Sequence, residues 1–189
     1  GEVSLFELTQ AFATLAGRGR FAPLRSLDND TRAVTEAPVF SEAVASLIAD
    51  ILSDPAARQL EFGANSALNF PQQTAVKTGT SSDYRDAWAV GFNSHFTVGV
   101  WMGNLDATPT NGVSGAMGPA VVLRTLFARL NTHEKTRPLF RSPQLVRREL
   151  SGPAARRAEW FVAGVAPLPS AAQPAAPPSP IVLSRPSEG

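Results

Sequence analysis

The residues best suited to chemistry lie in one short segment, residues 73–81, which reads Gln-Thr-Ala-Val-Lys-Thr-Gly-Thr-Ser. The part that carries the functional groups is Lys77, Thr78, Gly79, Thr80 and Ser81. Lysine is rare here, since only two of the 17 Lys and Arg residues are lysines. A lysine ammonium is a compact point charge, and hydrogen bonds to charged groups are the stronger kind. An ammonium beside three hydroxyls is therefore suited to bind a carboxylate.

The same segment has the pattern of a β-strand, because β-branched residues recur at every second position. Gly79 lacks a Cβ and would let another backbone lie against this strand. Strict alternation points Lys77 and Thr78 to opposite faces of the sheet. Both can contact one ligand only where the edge of a twisted strand borders a cleft. We therefore predict an exposed strand edge beside a cleft.

Three stretches of the chain resemble a known family. Lys77-Thr78-Gly79 matches one of the three signatures of serine acyl-transferases that act on penicillin. It is followed by Tyr-Arg-Asp-Ala-Trp-Ala-Val-Gly-Phe at 84–92 and by Val-Gly-Val-Trp-Met-Gly-Asn at 98–104. Upstream, residues 3–17 resemble the helix that precedes this motif in bifunctional, class A members. The chain thus resembles the transpeptidase domain of class A penicillin-binding proteins, and residues 85–88 and 160–164 are most similar to the 1C subtype.

The resemblance implies a peptidoglycan D,D-transpeptidase that cross-links stem peptides through a serine acyl-enzyme and is inhibited by β-lactams. Lys77 and Thr80 would be catalytic, with the Thr80 N–H as one of two donors to the oxyanion. The substrate-binding residues would be Lys77, Thr78, Gly79, Thr80 and Ser81, holding the terminal carboxylate of D-alanyl-D-alanine or of a penicillin. The implied partners are peptidoglycan stem peptides, β-lactams and cell-wall synthesis proteins.

The other signatures of the family are missing from this sequence. The residues three positions before Lys77 and Lys135 are Thr74 and Thr132, so no Ser-x-x-Lys nucleophile motif occurs, and there is no Ser-x-Asn either. A glycosyltransferase domain is also absent. We therefore expect a C-terminal fragment, inactive alone, of a periplasmic protein that is anchored in the inner membrane by a segment upstream.

Two other functions fit the same residues. A D,D-carboxypeptidase or β-lactamase-like hydrolase of the same fold would use water in place of the acceptor amine. A non-catalytic scaffold would keep the fold and work through the basic, proline-rich tail. A nucleotide-binding P-loop is excluded, because it requires Gly-Lys followed by Ser or Thr, whereas here the glycine follows the lysine.

Composition predicts no cofactor, no metal and no nucleic-acid partner. The formal net charge is +1, which provides no field to attract a polyanion. There is no cysteine, and the two histidines lack the carboxylate spacing of a metal site. No apolar run approaches the length that crosses a bilayer.

Capping signals and apolar periodicity predict the helices. Ser4 with Glu7 three residues later is a capping box, and the helix that it opens should stop at Gly17. A second helix should begin at Ser41, and a shorter one should run from Asp54-Pro55 to Gly63. The apolar face of the second helix is predicted to be Val44, Leu47, Ile48, Ile51 and Leu52.

A hairpin of strands 87–92 and 96–102 should follow the motif strand. The small residues on one of its faces, Ala87, Ala89 and Gly91, would let a last helix at 118–130 pack closely. That helix should present Leu123, Leu126, Phe127 and Leu130. The predicted fold class is α+β, part of the penicillin-binding-protein and β-lactamase-like transpeptidase fold, with an antiparallel sheet flanked by helices and an extended C-terminal tail.

The predicted domain organisation has three parts. Residues 1–133 form the C-terminal part of a transpeptidase domain. Residues 134–180 form a linker that is first basic and then rich in proline and alanine, a composition that favours extended chain. Residues 181–189 resemble the start of a small β domain.

Overall fold

A computed structural model describes residues 2–25, 35–63, 65–135, 137–151 and 156–165. The elements in chain order are α1 (Leu5–Ala16), β1 (Arg20–Phe21), β2 (Ala37–Pro38), α2 (Glu42–Ser53), α3 (Pro55–Phe62), β3 (Ala75–Thr80), β4 (Asp86–Phe92), β5 (Thr97–Gly103), α4 (Pro119–Leu130), β6 (Leu145–Ser151) and β7 (Arg156–Val162). Short 3₁₀ turns occupy Ser82–Tyr84 and Asn131–His133. The proline- and alanine-rich stretch from 166 onward and the predicted β domain at 181–189 lie outside the described residues.

The predicted helix starts are confirmed by side-chain caps. Ser4 caps α1 through a complete capping box, with Ser4 N–H donating to the Glu7 carboxylate at 2.9 Å and Glu7 N–H donating to Ser4 Oγ at 3.2 Å. Ser41 caps α2 and Asp54 caps α3. Each cap satisfies backbone N–H groups that have no partner within the helix.

A three-stranded antiparallel sheet, in the order β3-β4-β5, forms the centre of the fold. The β4–β5 hairpin lies within one residue of the predicted strands, and the carboxamide oxygen of Asn93 accepts hydrogen bonds from the N–H groups of His95 and Phe96 in its turn. The register sets Lys77 opposite Val90 and Thr78 opposite Ala89. Together with the flanking helices, this sheet confirms the α+β class.

The helix α4 packs on one face of the sheet, as the small residues of β4 predict. Ala120, Leu123 and Phe127 are buried there against Val76 and Ala89. Leu126 and Leu130, which were predicted to share the buried stripe, are instead 38% and 39% exposed. The residues of α4 that contact the sheet are thus fewer than the apolar residues of the helix. The small residues of β4 contact only the side of α4 that lies directly over them.

The helix α2 buries only part of the predicted apolar face, since Leu47, Ile48 and Leu52 are half-buried. Its buried residues are Ala43, Ala45, Ser46, Ala49 and Ser53. Val44 and Ile51, which were predicted to be in the core, are 38% and 60% exposed. Small residues let α2 approach its neighbours closely. The buried Ser46 hydroxyl donates a hydrogen bond to the Phe140 carbonyl oxygen and accepts one from Ser142 N–H. Val44 and Ile51 are left toward the outside, whereas Leu52 packs against the buried cluster of Ala49, Ala75 and Phe92.

The predicted linker 134–180 is wrong over part of its length, because β6 and β7 form an antiparallel hairpin there. The register sets Val146 opposite Phe161 and Arg147 opposite Trp160. The high arginine content of this stretch suggested a solvated linker. Among the described residues, every helix is too short or too polar to span a bilayer.

Candidate functional site

The motif strand β3 is the edge strand of its sheet and borders a cleft of about 600 Å³. Within the described residues it pairs only with β4, so its other side is open. The strand contributes Lys77, Thr78, Gly79 and Thr80 to the cleft, and a turn before α4 contributes Ser114 and Ala116. The opposite wall comes from α2 and α3 through Ile51, Arg58 and Phe62. The structure therefore has the exposed strand edge that the sequence predicts.

The backbone groups of β3 are divided between its two sides. Ser81 N–H donates to the carbonyl oxygen of Asp86 in β4 at 2.9 Å. In an antiparallel pair, residues that bond to the partner strand alternate with residues whose N–H and C=O point away from it. Ser81, Gly79 and Lys77 thus point their backbone groups toward β4. Thr80 and Thr78 point theirs toward the open edge and the cleft.

The Lys77 ammonium lies at this open edge. The side chain is exposed, and Nζ donates to the carbonyl oxygen of Thr78 at 2.6 Å. Lys77 and Thr78 start from opposite faces of the sheet, yet the long lysine side chain curls around the edge and brings its charge beside Thr78. Across the described part of the chain, no carboxylate lies within ion-pair distance of Nζ. The charge is therefore available to an anionic ligand.

Of the two hydroxyls further along the segment, one lies in the cleft and one does not. Thr80 lines the cleft, and its Oγ1 accepts a hydrogen bond from Gly115 N–H at 3.1 Å. Ser81 was predicted to bind substrate, but its hydroxyl accepts a hydrogen bond from Asp86 N–H at 2.8 Å. Ser81 therefore closes the turn between β3 and β4 and is not among the residues that line the cleft.

Gly79 has room for a side chain within the described structure. A Cβ built on it would approach only the Trp88 side chain, at 3.7 Å and 3.8 Å, which is ordinary van der Waals contact. The close backbone approach predicted for this glycine comes from Gly115, which lies over the strand pair. Gly79 is among the residues that line the cleft.

Arg58 and the turn at 114–116 were not predicted as site residues. The Arg58 guanidinium donates to the carbonyl oxygens of Leu52 and Leu68, and its Nε is buried without a hydrogen-bond partner. Burial lowers the pKa of Arg58. The signal for the turn was the run Ser-Gly-Ala-Met-Gly-Pro, where glycines precede a helix start. Arg58 carried no local signal, because its partners are set by the tertiary fold.

The two histidines lie away from the cleft. His95 faces Glu134 at 3.5 Å and the carbonyl oxygen of Lys135 at 3.1 Å, beyond the far end of the β4–β5 hairpin. In the ranges that the structure describes, no group of three or more histidine, cysteine or acidic residues could hold a metal ion.

This α+β fold resembles that of a penicillin-binding protein of known structure. The structure matches that of penicillin-binding protein 1A from Haemophilus influenzae with a TM-score of 0.67, covering 89% of this chain and 33% of that one at 17% identity. This likeness shows the fold and confirms the predicted fold class.

The sequence adds relatives from the same group of proteins. The chain is 36% identical over 111 residues to penicillin-binding protein 1C of Escherichia coli, which covers 59% of this chain and 14% of that protein. It is 31% identical over 122 residues to penicillin-binding protein 1B of Vibrio cholerae, covering 59% of this chain and 16% of that protein. No protein-family model matches the chain.

These matches confirm the predicted resemblance to penicillin-binding proteins, including the 1C type, and support a function within that group. The chain spans about a seventh of the length of the curated relatives that it matches.

Proposed function

We propose that this chain supplies the carboxylate-binding strand of a peptidoglycan D,D-transpeptidase. The observation that carries the proposal is the open edge of β3, where the backbone groups of Thr78 and Thr80 point outward beside the cleft. The Lys77 ammonium lies at the same edge and has no ion-pair partner among the described residues. A stem peptide ending in D-alanyl-D-alanine is extended and carries a terminal carboxylate. It can add to the strand edge through its backbone while its carboxylate meets the ammonium and the threonine hydroxyls.

The chemistry in this proposal is acyl transfer through a serine. A serine hydroxyl attacks the carbonyl carbon between the two D-alanines, the C–N bond breaks, and the terminal D-alanine leaves with a proton on its amine. An acceptor amine then attacks the ester, and the serine oxygen leaves with a proton. This sequence has no Ser-x-x-Lys, so the nucleophile comes from outside these 189 residues.

The Thr80 N–H fits the role of an oxyanion donor. It points to the open edge, where negative charge would develop on the carbonyl oxygen under attack. A donor fixed in advance by a sheet requires no reorganisation during the reaction, and one such donor contributes roughly 3 to 4 kcal/mol. Lys77 acts beside it as a fixed positive charge that holds the substrate carboxylate.

The proposal places the natural protein on the periplasmic side of the bacterial inner membrane. Its ligands there are peptidoglycan stem peptides and the β-lactams that resemble them, and its partners are other cell-wall synthesis proteins. The supporting facts are the similarity to penicillin-binding proteins 1C and 1B and the exposed Lys77 ammonium at the strand edge.

The test is non-covalent binding of N-acetyl-D-alanyl-D-alanine to the chain, followed by amide chemical shifts. Lys77→Ala should weaken binding about 10- to 100-fold, since hydrogen bonds to charged groups contribute about 1.5 to 3 kcal/mol. Lys135→Ala, which removes the other lysine, is the matched control and should bind as the unaltered chain does. Equal binding by Lys77→Ala and the unaltered chain, or no binding by the latter, would contradict the proposal.

A further inference from the structure

The turn at 114–116 presses directly onto the motif strand. A Cβ built on Gly115 would lie 2.7 Å from the Gly79 carbonyl oxygen, 3.1 Å from the Gly79 nitrogen and 2.6 Å from the Trp88 carbonyl oxygen. These are backbone atoms of paired strands, so they cannot move aside independently. Only glycine fits at position 115 while the turn and the strand keep this separation.

Both backbone groups of Gly115 are engaged, one on each side of the turn. Its N–H donates to Thr80 Oγ1 at 3.1 Å, and its carbonyl oxygen accepts from Ala120 N–H at 3.0 Å in the first turn of α4. The turn is closed by Ser114, whose carbonyl oxygen accepts from Met117 N–H and Gly118 N–H. Gly115 therefore joins the start of α4 to the side chain of Thr80.

The position of α4 is itself fixed by the core. Ala120 and Leu123 are fully buried, and Phe127 is buried beside them under the sheet. A helix held in this way cannot shift without opening the core, because protein interiors are close-packed. The location of the Gly115 N–H relative to β3 is consequently set by core packing and not by the flexible part of the turn.

The hydrogen bond from Gly115 decides what the Thr80 hydroxyl can do. A hydroxyl has one proton to donate and lone pairs that accept. Because one lone pair of Thr80 Oγ1 accepts the hydrogen bond from Gly115 N–H, the position of this oxygen is fixed. The hydroxyl proton then points away from Gly115. Thr80 lines the cleft and is exposed. Its proton is thus free to be donated to an acceptor in the cleft.

We propose that Gly115 is a positioning residue that makes the Thr80 hydroxyl a donor to the carboxylate of the ligand. The inference rests on the proposed function, which supplies a ligand with a carboxylate. It assigns the 114–116 turn to the binding site and explains why a glycine stands at position 115. Gly115 acts only through Thr80 and does not touch the ligand.

The first part of the test measures the contact without ligand. Amide hydrogen exchange at Gly115 should be slow in the unaltered chain. Thr80→Val keeps the shape of the side chain but removes the acceptor, and should accelerate this exchange about tenfold. Thr80→Ser restores the acceptor and should restore slow exchange. Equal exchange in Thr80→Val and the unaltered chain would overturn the contact.

The second part measures binding of N-acetyl-D-alanyl-D-alanine. Thr80→Val and Gly115→Ala should each weaken it about tenfold, and Thr80→Ser should bind normally. If Gly115 acts through the Thr80 hydroxyl, Thr80→Val should cause little further loss in a Gly115→Ala background. Additive losses in the double variant, or normal binding by Thr80→Val, would overturn the proposal.

The two parts also separate this inference from the proposed function. If the unaltered chain does not bind the peptide, the proposed function is wrong and the donor role falls with it, whereas the Gly115 contact is judged by exchange alone. If the unaltered chain binds but Thr80→Val binds equally well, the inference is wrong and the proposed function stands. Should Gly115→Ala fail to fold, the exchange and binding results for Thr80→Val and Thr80→Ser still test the inference.

Discussion

Gly79 lies in the motif strand, Gly115 lies over the backbone of that strand, and the two are glycines for different reasons. At Gly115 an added methyl group would collide with the backbone of the protein itself. At Gly79 the added methyl group would meet only the side chain of Trp88 at van der Waals distance. The fold therefore requires glycine at position 115 but not at position 79. Gly79 lines the cleft, and we expect its role to be in ligand binding.

The variant Gly79→Ala should keep or raise stability and lose ligand binding. Glycine inside a strand is disfavoured by about 0.5 to 1 kcal/mol relative to alanine, and the new methyl group has space within the fold. Because Gly79 lines the cleft, we expect the same methyl group to hinder a peptide that binds there. Thermal unfolding and a titration with N-acetyl-D-alanyl-D-alanine measure the two effects. Lower stability with unchanged affinity would show that the glycine serves the fold.

The sequence predicted the residues of the motif strand better than the residues around it. Lys77, Thr78, Gly79 and Thr80 line the cleft together because they are consecutive in one strand. Ser81 was predicted to bind substrate from the same pattern, but its hydroxyl accepts a hydrogen bond from Asp86 N–H in the turn after β3. Gly115 could not be predicted, because its contact with Thr80 depends on how the core holds α4.

At the scale of elements, local sequence signals predicted the helix starts correctly, whereas the apolar pattern did not predict correctly which residues are buried. Caps at Ser4, Ser41 and Asp54 gave the correct starts of three helices, since a cap involves only neighbouring residues. The predicted buried face of α2 was only partly correct, because close approach favoured its alanines and serines while Val44 and Ile51 stayed exposed. A hydrophobic pattern shows which residues could be buried, whereas the neighbouring elements decide which of them are.

The capping box of α1 should make its stability depend on pH. The Ser4 backbone N–H, followed by the Ser4 hydroxyl, lowers the pKa of Glu7 from its ordinary value of 4.5. A carboxylate with a lowered pKa stabilises the folded state fully above its ordinary pKa. This contribution is lost as the pH falls through the lowered value.

Glu7→Gln should remove this part of the acid-induced loss of helix stability, because glutamine cannot be protonated in this range. Thermal unfolding of both chains, above and below the ordinary pKa of 4.5, measures the difference. The unfolding temperatures of the two chains should differ most above that pH and become similar below it. In a Ser4→Ala background, where the partner hydroxyl is absent, Glu7→Gln should change the thermal stability less. A gap that widens on acidification would contradict the sign of the shift.

On the scale of the whole molecule, the chain beyond α4 returns to the first half of the domain. Arg141 pairs with Asp50 of α2 at 3.2 Å and lies over the Trp160 ring of β7 at 4.3 Å. Gln73, just before the motif strand, accepts a hydrogen bond from Leu139 N–H at 3.0 Å. The hairpin β6–β7 is thus attached to α2. Composition could not reveal this, because each contact joins residues far apart in sequence.

Ser46 should be the residue on which this attachment depends most. It is buried in α2, where its hydroxyl donates to the Phe140 carbonyl oxygen and accepts from Ser142 N–H, both at 3.0 Å. Ser46→Ala leaves both backbone groups without their partner, at a cost of about 1 to 3 kcal/mol.

Because the sheet β3-β4-β5 and α4 do not depend on these bonds, we expect local opening of the 137–144 segment and not general unfolding. Exchange of the Ser142 amide should accelerate about 10- to 100-fold in Ser46→Ala, while amides in β4 remain protected. Thr125→Ala, which removes a hydroxyl that bonds to Val121 within α4, should leave Ser142 unchanged. Slow exchange at Ser142 in Ser46→Ala would show that the ion pair and ring contact of Arg141 hold the segment without Ser46. Loss of protection in β4 as well would show that the segment and the sheet unfold as one unit.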